Sequence, residues 1–148
     1  PDVRELMAHF GIPGTRVLQF GFDPDPGNPH APGAIREDVV LYTGTHDNNT
    51  MRGWFEEEAG PDQKERITPA LEKVPSSPEI ARDMISLALG SPARLVIIPV
   101  QDLLCLGSWA RMNLPGTTEG NWQWRLLPGE PGADDWTWLL ENTTRAGR

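Results

Sequence analysis

Asp38-Val39-Val40-Leu41-Tyr42-Thr43-Gly44-Thr45-His46-Asp47 is the stretch on which the fold turns. Its first half is almost continuously apolar and rich in β-branched residues, which suits a parallel strand covered on both faces. Its second half opens with glycine and sets a His and an Asp just beyond the strand end. In parallel α/β proteins, ligand-binding and catalytic groups gather at the C-terminal ends of strands, where the connecting loops converge. His46 and Asp47 are therefore the first candidates for chemistry. The pair by itself leaves a plainer reading open, in which His46 is held by its neighbour and Asp47 caps the next helix.

Upstream, Arg16 to Phe22 has strand composition and is closed by a turn-rich loop, Asp23 to Gly33. Before it, Asp2 and Glu5 form a capping-box pair for a short helix carrying Val3, Leu6, Met7 and Phe10, stopped by Gly11 and Pro13. Downstream, the pattern turns helical from Thr50 through Trp54 and Phe55 to Gly60-Pro61. A polar segment, Asp62 to Val74, is broken by Pro69. Ser77-Pro78-Glu79 supplies an N-cap, an N1 proline and a first-turn carboxylate for a helix that Gly90 ends. Arg94 to Val100 is a third strand, and a loop over Asn113 to Asn121 precedes a Trp-rich tail. Strands separated by helices indicate parallel βα units. Three strands are too few to close an eight-stranded barrel, so the choice lies between a small open α/β domain and the end of a larger barrel.

Composition narrows the function classes. The 148 residues are 38% hydrophobic, enough for the core of one domain. No apolar run approaches the roughly 20 residues of a membrane span, which argues against a membrane partner. A net charge of -8 repels a phosphate backbone and argues against nucleic acid. Cys105, the single cysteine, reads as a small buried hydrophobe in a reducing compartment, consistent with a cytoplasmic protein. With Pro1 in place of Met, the first residue is not expected to be a natural translation start.

Metal chemistry finds little support. Asp23, Asp25 and Asn28 have a superficial calcium-loop spacing, but Pro24 and Pro26 stiffen the segment and Ala34 stands where a bidentate Glu belongs. His9, His30 and His46 lack the spacing of a zinc helix, and no Gly-rich phosphate loop with a Lys occurs. Trp122, Trp124, Trp136 and Trp138 crowd the tail, where paired Trp residues are expected to pack in a core with their indole N–H groups bonded.

Three segments taken together carry a resemblance. Gly11-Ile12-Pro13-Gly14-Thr15-Arg16-Val17-Leu18-Gln19-Phe20, then Tyr42-Thr43-Gly44-Thr45-His46-Asp47-Asn48-Asn49-Thr50, then Asn113-Leu114-Pro115-Gly116-Thr117 with Asn121-Trp122-Gln123-Trp124-Arg125, occur in order and at fitting distances. They resemble the last third of the 4-α-glucanotransferases of glycoside hydrolase family 77, also called amylomaltases or disproportionating enzymes. Pro99-Val100-Gln101-Asp102 fits the same family, so the resemblance covers essentially the whole chain.

The resemblance implies an α/β fold that is the C-terminal portion, about strands six to eight, of a (β/α)8 TIM barrel, with no separate second domain. In that family an Asp nucleophile follows the fourth strand, a Glu acid/base the fifth and a third Asp the seventh. Asp47 matches the third role, a transition-state stabiliser that accepts hydrogen bonds from sugar hydroxyls. His46 is then expected to bind the same sugar, and Gln101 and Asn113 to contact neighbouring glucose units. The implied partners are α-1,4-glucans, maltooligosaccharides and glucose, together with the rest of the barrel, and no metal or organic cofactor is implied. On this reading the nucleophile and acid/base lie outside the chain, which is inactive alone. Two departures stand out: Asn49, where the family often has Asp, and Trp109, where a small or polar residue is more usual. A non-catalytic carbohydrate-binding module and a complete small α/β protein unrelated to glucans are the alternatives.

Overall fold

The computed structural model describes residues 2–148. Helix α1 (Val3–His9) comes first. The Asp2 amide donates to Glu5 Oε2 at 3.3 Å, half of the expected capping box. Gly11, at φ 62°, takes the left-handed conformation that turns the chain away from the helix. Strands β1 (Gly14–Val17), β2 (Val39–Tyr42) and β3 (Leu95–Ile97) form one parallel sheet in that order among the described residues. Between β2 and β3 lie α2 (Met51–Gly53), which runs directly into a π turn over Trp54–Glu58, then α3 (Pro61–Leu71) and α4 (Ile80–Leu89). After β3 come α5 (Val100–Leu103) and α6 (Ala133–Arg145). Among the described residues no helix is long and apolar enough to cross a membrane.

The two faces of the sheet differ. In the register of the ladder, Val39 and Leu41 point to the face covered by helices, and both are buried beside Met51, Ile80 and Met84. Leu41 is wholly enclosed, so cutting it to Ala would cost about 2–5 kcal/mol. Thr15, Val40 and Leu95 are aligned on the other face, followed by Val17, Tyr42 and Ile97. There Leu95 remains 50% and Ile97 37% exposed.

Several elements differ from the sequence expectation. The first strand ends at Val17, and Leu18–Phe22 is a 3-10 turn. Gly21 there lies so close to the His30 carbonyl that a Cβ would collide with it, which straight strand geometry would not bring about. The third strand ends at Ile97, because Pro99 lacks an amide for the ladder and becomes the N-cap of α5. Pro69 does not break the polar segment. It sits inside α3, where complete burial of Ile67 anchors the helix until Glu72 stops it at φ 55°. The turn into α4 starts at Ser76, whose carbonyl accepts from Ile80 N at 2.9 Å, one residue before the expected cap. Ser77 instead donates to Glu56.

The Trp-rich tail is also different. Trp136 and Trp138 are two residues apart on α6 and so point about 200° apart around it. Trp138 packs under Arg82, 4.9 Å from guanidinium to ring centre, while Arg82 pairs with Asp135 at 2.8 Å; Trp136 stays exposed. Cys105 is half-buried against the core, and burial raises its thiol pKa.

Candidate functional site

The loop after β2 is fixed from beneath. Thr43 Oγ1 donates to Asp102 Oδ2 at 2.7 Å, and Met51 N donates to Asp102 Oδ1 at 2.7 Å. One buried carboxyl thus closes the loop at its entry and at its exit. Burial pushes that carboxyl up to about 6, against the opposing pull of its two hydrogen bonds. Gln19, also buried, donates through Nε2 to Asn49 O at 2.8 Å, and a Cβ on Gly44 would press against that amide. Asn48 Oδ1 accepts from Thr45 N at 2.9 Å and Thr45 Oγ1 at 2.8 Å, tightening the turn. The cap of α2 is Thr50, whose Oγ1 accepts from Gly53 N at 3.0 Å. Capping is therefore not the role of Asp47.

With the backbone held this way, His46 and Asp47 face outward, both about half exposed. His46 Nε2 lies 3.3 Å from Asp47 Oδ1. Asn113 Nδ2 donates to the same Asp47 oxygen at 2.6 Å, and Asn113 N donates to His46 O at 3.1 Å. Arg111 joins them from the side. Its Nη2 donates to Asp47 O at 2.8 Å, its Nε to Asn113 O at 2.8 Å and its Nη1 to Glu58 Oε1 at 2.9 Å. Glu58 Oε1 also accepts from Asn49 Nδ2 at 2.9 Å, and Asn49 Nδ2 reaches Ser108 Oγ at 3.0 Å.

Trp122 is not a core residue. It takes φ 61°, is 50% exposed, and lays its ring 5.2 Å from the His46 ring at 36°. Trp122 N donates to Met112 O at 2.6 Å, and Asn121 lashes the intervening loop by accepting from Leu114 N at 2.9 Å. Trp124 is half-buried, and Trp109 is 72% exposed.

Two cavities meet at His46. An open groove of about 420 Å³ runs along the uncovered sheet face, with His46 and Asp47 at one side and Tyr42 and Ile97 at the other. A smaller cavity of about 140 Å³ lies behind His46 and is lined by Asn48, Gln101, Asp102 and Arg111. Of the four residues expected at a site, His46, Asp47 and Asn113 converge. Gln101 is buried in the inner cavity, where its Nε2 donates to Ala110 O at 3.4 Å.

Arg111, Gln19, Asp102 and Glu58 were not among the expected site residues. Gln19 and Asp102 carried a signal, since each is a polar side chain inside an apolar run, and such a residue is buried only with hydrogen-bond partners. Among the described residues no three His, Cys, Asp or Glu side chains converge as metal ligands. Asp23 Oδ1 accepts from Asp25 N at 3.1 Å and from Asn28 Nδ2 at 2.9 Å, and Asp25 Oδ1 accepts from Gly27 N at 2.8 Å.

The profile of glycoside hydrolase family 77, described as 4-alpha-glucanotransferase, matches residues 1–130. The chain belongs to the 4-alpha-glucanotransferase family. It is 46% identical over 136 residues to the 4-alpha-glucanotransferase of Thermus thermophilus, covering 88% of this chain and 27% of that protein. Against the 4-alpha-glucanotransferase of a Synechocystis strain it is 47% identical over 137 residues, covering 92% of this chain and 26% of the relative. In three dimensions it resembles the amylomaltase from Streptococcus agalactiae, solved in complex with acarbose, with a TM-score of 0.88 and 33% identity over 99% of this chain and 29% of that one. This glucanotransferase-family chain therefore spans about a quarter of the length of the relatives it matches.

Proposed function

We propose that the protein to which these residues belong transfers α-1,4-glucan segments to the 4-hydroxyl of an acceptor glucose or glucan by a retaining mechanism. The three strands act as the sixth to eighth of a (β/α)8 barrel, with the open sheet face turned to the barrel interior. A retaining transfer uses two carboxyl groups about 5–5.5 Å apart across the scissile bond. We assign both to the part of the barrel outside these 148 residues, so that the chain alone is inactive.

Asp47 serves as the third carboxylate. It accepts hydrogen bonds from ring hydroxyls of the sugar at the cleavage point, and its charge favours the oxocarbenium-like ring as it forms. His46 binds the same sugar. Asn113 contacts a neighbouring glucose unit from beside Asp47, and Gln101 does so from the inner cavity. The observation that carries this reading is the arrangement at the C-terminal end of β2: an outward carboxylate, bonded to Asn113 and His46, beside an open groove. The acarbose complex of the Streptococcus agalactiae neighbour supports a sugar-like occupant.

The test uses the full-length protein and maltotriose, with glucose and longer maltodextrins followed by chromatography. Transfer products are expected. Asp47→Asn is expected to lower kcat by roughly 10²–10³, or about 2.7–4 kcal/mol, with KM and melting temperature little changed. A near-normal kcat refutes the assignment of Asp47. Retention of maltodextrin without any transfer by the wild-type protein supports a non-catalytic carbohydrate-binding role instead.

A further inference from the structure

We propose that Arg111, held by Glu58, is the positioning residue that sets Asp47 and Asn113 against each other in the groove. This rests on the glucanotransferase reading of the same site. Asp47 and Asn113 are 66 positions apart in the chain, on two different loops, and their side chains meet at 2.6 Å. One main-chain bond, Asn113 N to His46 O at 3.1 Å, already joins the two loops, but it does not reach Asp47 itself. The guanidinium spans the gap, because it donates to the main-chain carbonyls of both residues, at 2.8 Å each. A planar fork with fixed donor directions fixes the relative position of two acceptors in a way that a single ammonium cannot.

The direction of these bonds also matters. Arg111 binds the main-chain oxygen of Asp47, while its ion pair is with Glu58 at 2.9 Å. A permanent cation beside a functional carboxylate would ordinarily pair with it and lower its capacity to accept from a ligand. Here the positive charge is spent on Glu58, and the Asp47 carboxylate keeps its free lone pairs for sugar hydroxyls. Glu58 is itself fixed by Asn49 Nδ2 at 2.9 Å, and Asn49 by Ser108. Gly53 makes that neighbourhood possible, because a Cβ there would collide with Ser108 Oγ and Asn49 Oδ1.

The variants are Arg111→Ala, Arg111→Lys and the milder Glu58→Gln, made in the full-length protein alone and combined with Asp47→Asn. Maltotriose kinetics, melting temperatures and crystal structures are compared. Arg111→Ala is expected to lower kcat about 10–100-fold with KM within about threefold, since a displacement of order 1 Å can cost about 10² in rate. Arg111→Lys recovers little, and added guanidinium restores part of the activity of Arg111→Ala. In the Asp47→Asn background the Arg111→Ala loss shrinks to less than about threefold, because residues acting through one another are not additive.

Full additivity with Asp47→Asn, or a kcat loss that merely follows a lowered melting temperature in all three variants, overturns the proposal. So does a crystal structure of Arg111→Ala or Glu58→Gln in which Asp47 and Asn113 keep their contact. That structural arm stands even if the wild-type protein transfers no glucan, in which case the functional reading fails separately.

Discussion

Two loops leave the sheet at strand ends, built from the same kinds of residue and put to opposite uses. The loop after β1 contains Asp23, Asp25, Asn28 and His30; the loop after β2 contains His46, Asp47, Asn48 and Asn49. In the first, the polar atoms are taken up by the chain itself. Asn28 is buried, donating to Phe20 O at 2.6 Å and accepting from His30 N at 2.7 Å. His30 Nδ1 accepts from Val17 N at 2.9 Å, and burial, aided by Arg16, lowers its pKa and keeps that nitrogen an acceptor. In the second, Asn48 and Asn49 take over the internal bonding, so His46 and Asp47 are left facing the groove. The difference lies in which side chains are already committed, some to residues two or three positions away and others to residues further along the chain.

That contrast is broken most directly by exchanging the damage. Asp47→Asn is expected to remove 10²–10³-fold in kcat, as above, while leaving the melting temperature near wild type. Asn28→Ala is expected to do the reverse, lowering stability by about 2–4 kcal/mol because the Phe20 carbonyl and the His30 amide lose their partner in a buried setting. Chemical denaturation and maltotriose kinetics on both variants check the pair. A stability loss at Asp47 as large as at Asn28 would erase the distinction between the two loops.

Asp102 offers a test of similar size that depends on pH. Its carboxyl rises from 3.8 in the unfolded chain to about 6 when buried, so between those values the folded state holds the proton more tightly. The resulting stability is complete below pH 4 and is lost as pH rises through about 6, a swing of about 3 kcal/mol at this one group. Asp102→Asn can still accept from Met51 N and can donate to Thr43 Oγ1. It is expected to abolish that swing and to match or exceed wild-type stability above pH 7. Thermal melts from pH 4 to 8 check the prediction, and an unchanged pH profile would remove Asp102 as a titrating staple.

The parts of the fold that were legible beforehand were those set by local chemistry. The apolar run at Val39–Tyr42, the glycine stops at Gly11 and Gly90, and a helical start near Thr50 were visible because strand composition, glycine and helical pattern act over a few residues, whereas the cap of α2 is Thr50 and not Asp47. The ends of β1 and β3 were not, since a collision with His30 and a proline cap on a following helix decide them. At the site, His46 and Asp47 were singled out by their place just beyond a strand end, and Asn113 by the resemblance. Arg111 was not, because an arginine five residues from a glycine has no local signature, and its value appears only when Glu58 and Asp47 come together. Trp122 was expected in a core because its left-handed backbone, which swings the ring onto His46, has no mark in the residue type.

A smaller effect sharpens the comparison further. Asn49→Asp would set a carboxylate against Glu58 where an amide now donates, partly compensated by Arg111. A stability loss of about 1 kcal/mol at pH 7, diminishing toward acid, is the expected outcome in thermal melts. No change at either pH would mean that the amide bond to Glu58 contributes nothing.

The π turn over Trp54–Glu58 has a numerical consequence. Ala59 N donates to Trp54 O at 2.7 Å, five residues back, so this turn holds one residue more than an α turn would. That extra residue rotates whatever follows it by about 100° around the helix axis. Glu58, the last residue of that turn, accepts from Asn49, nine positions earlier, and from Arg111. A single-residue deletion inside the turn would leave every side chain of the clamp present and produce a more regular helix. It would also aim the carboxylate away from Arg111, so spacing in this segment is as much a determinant of the groove as residue identity.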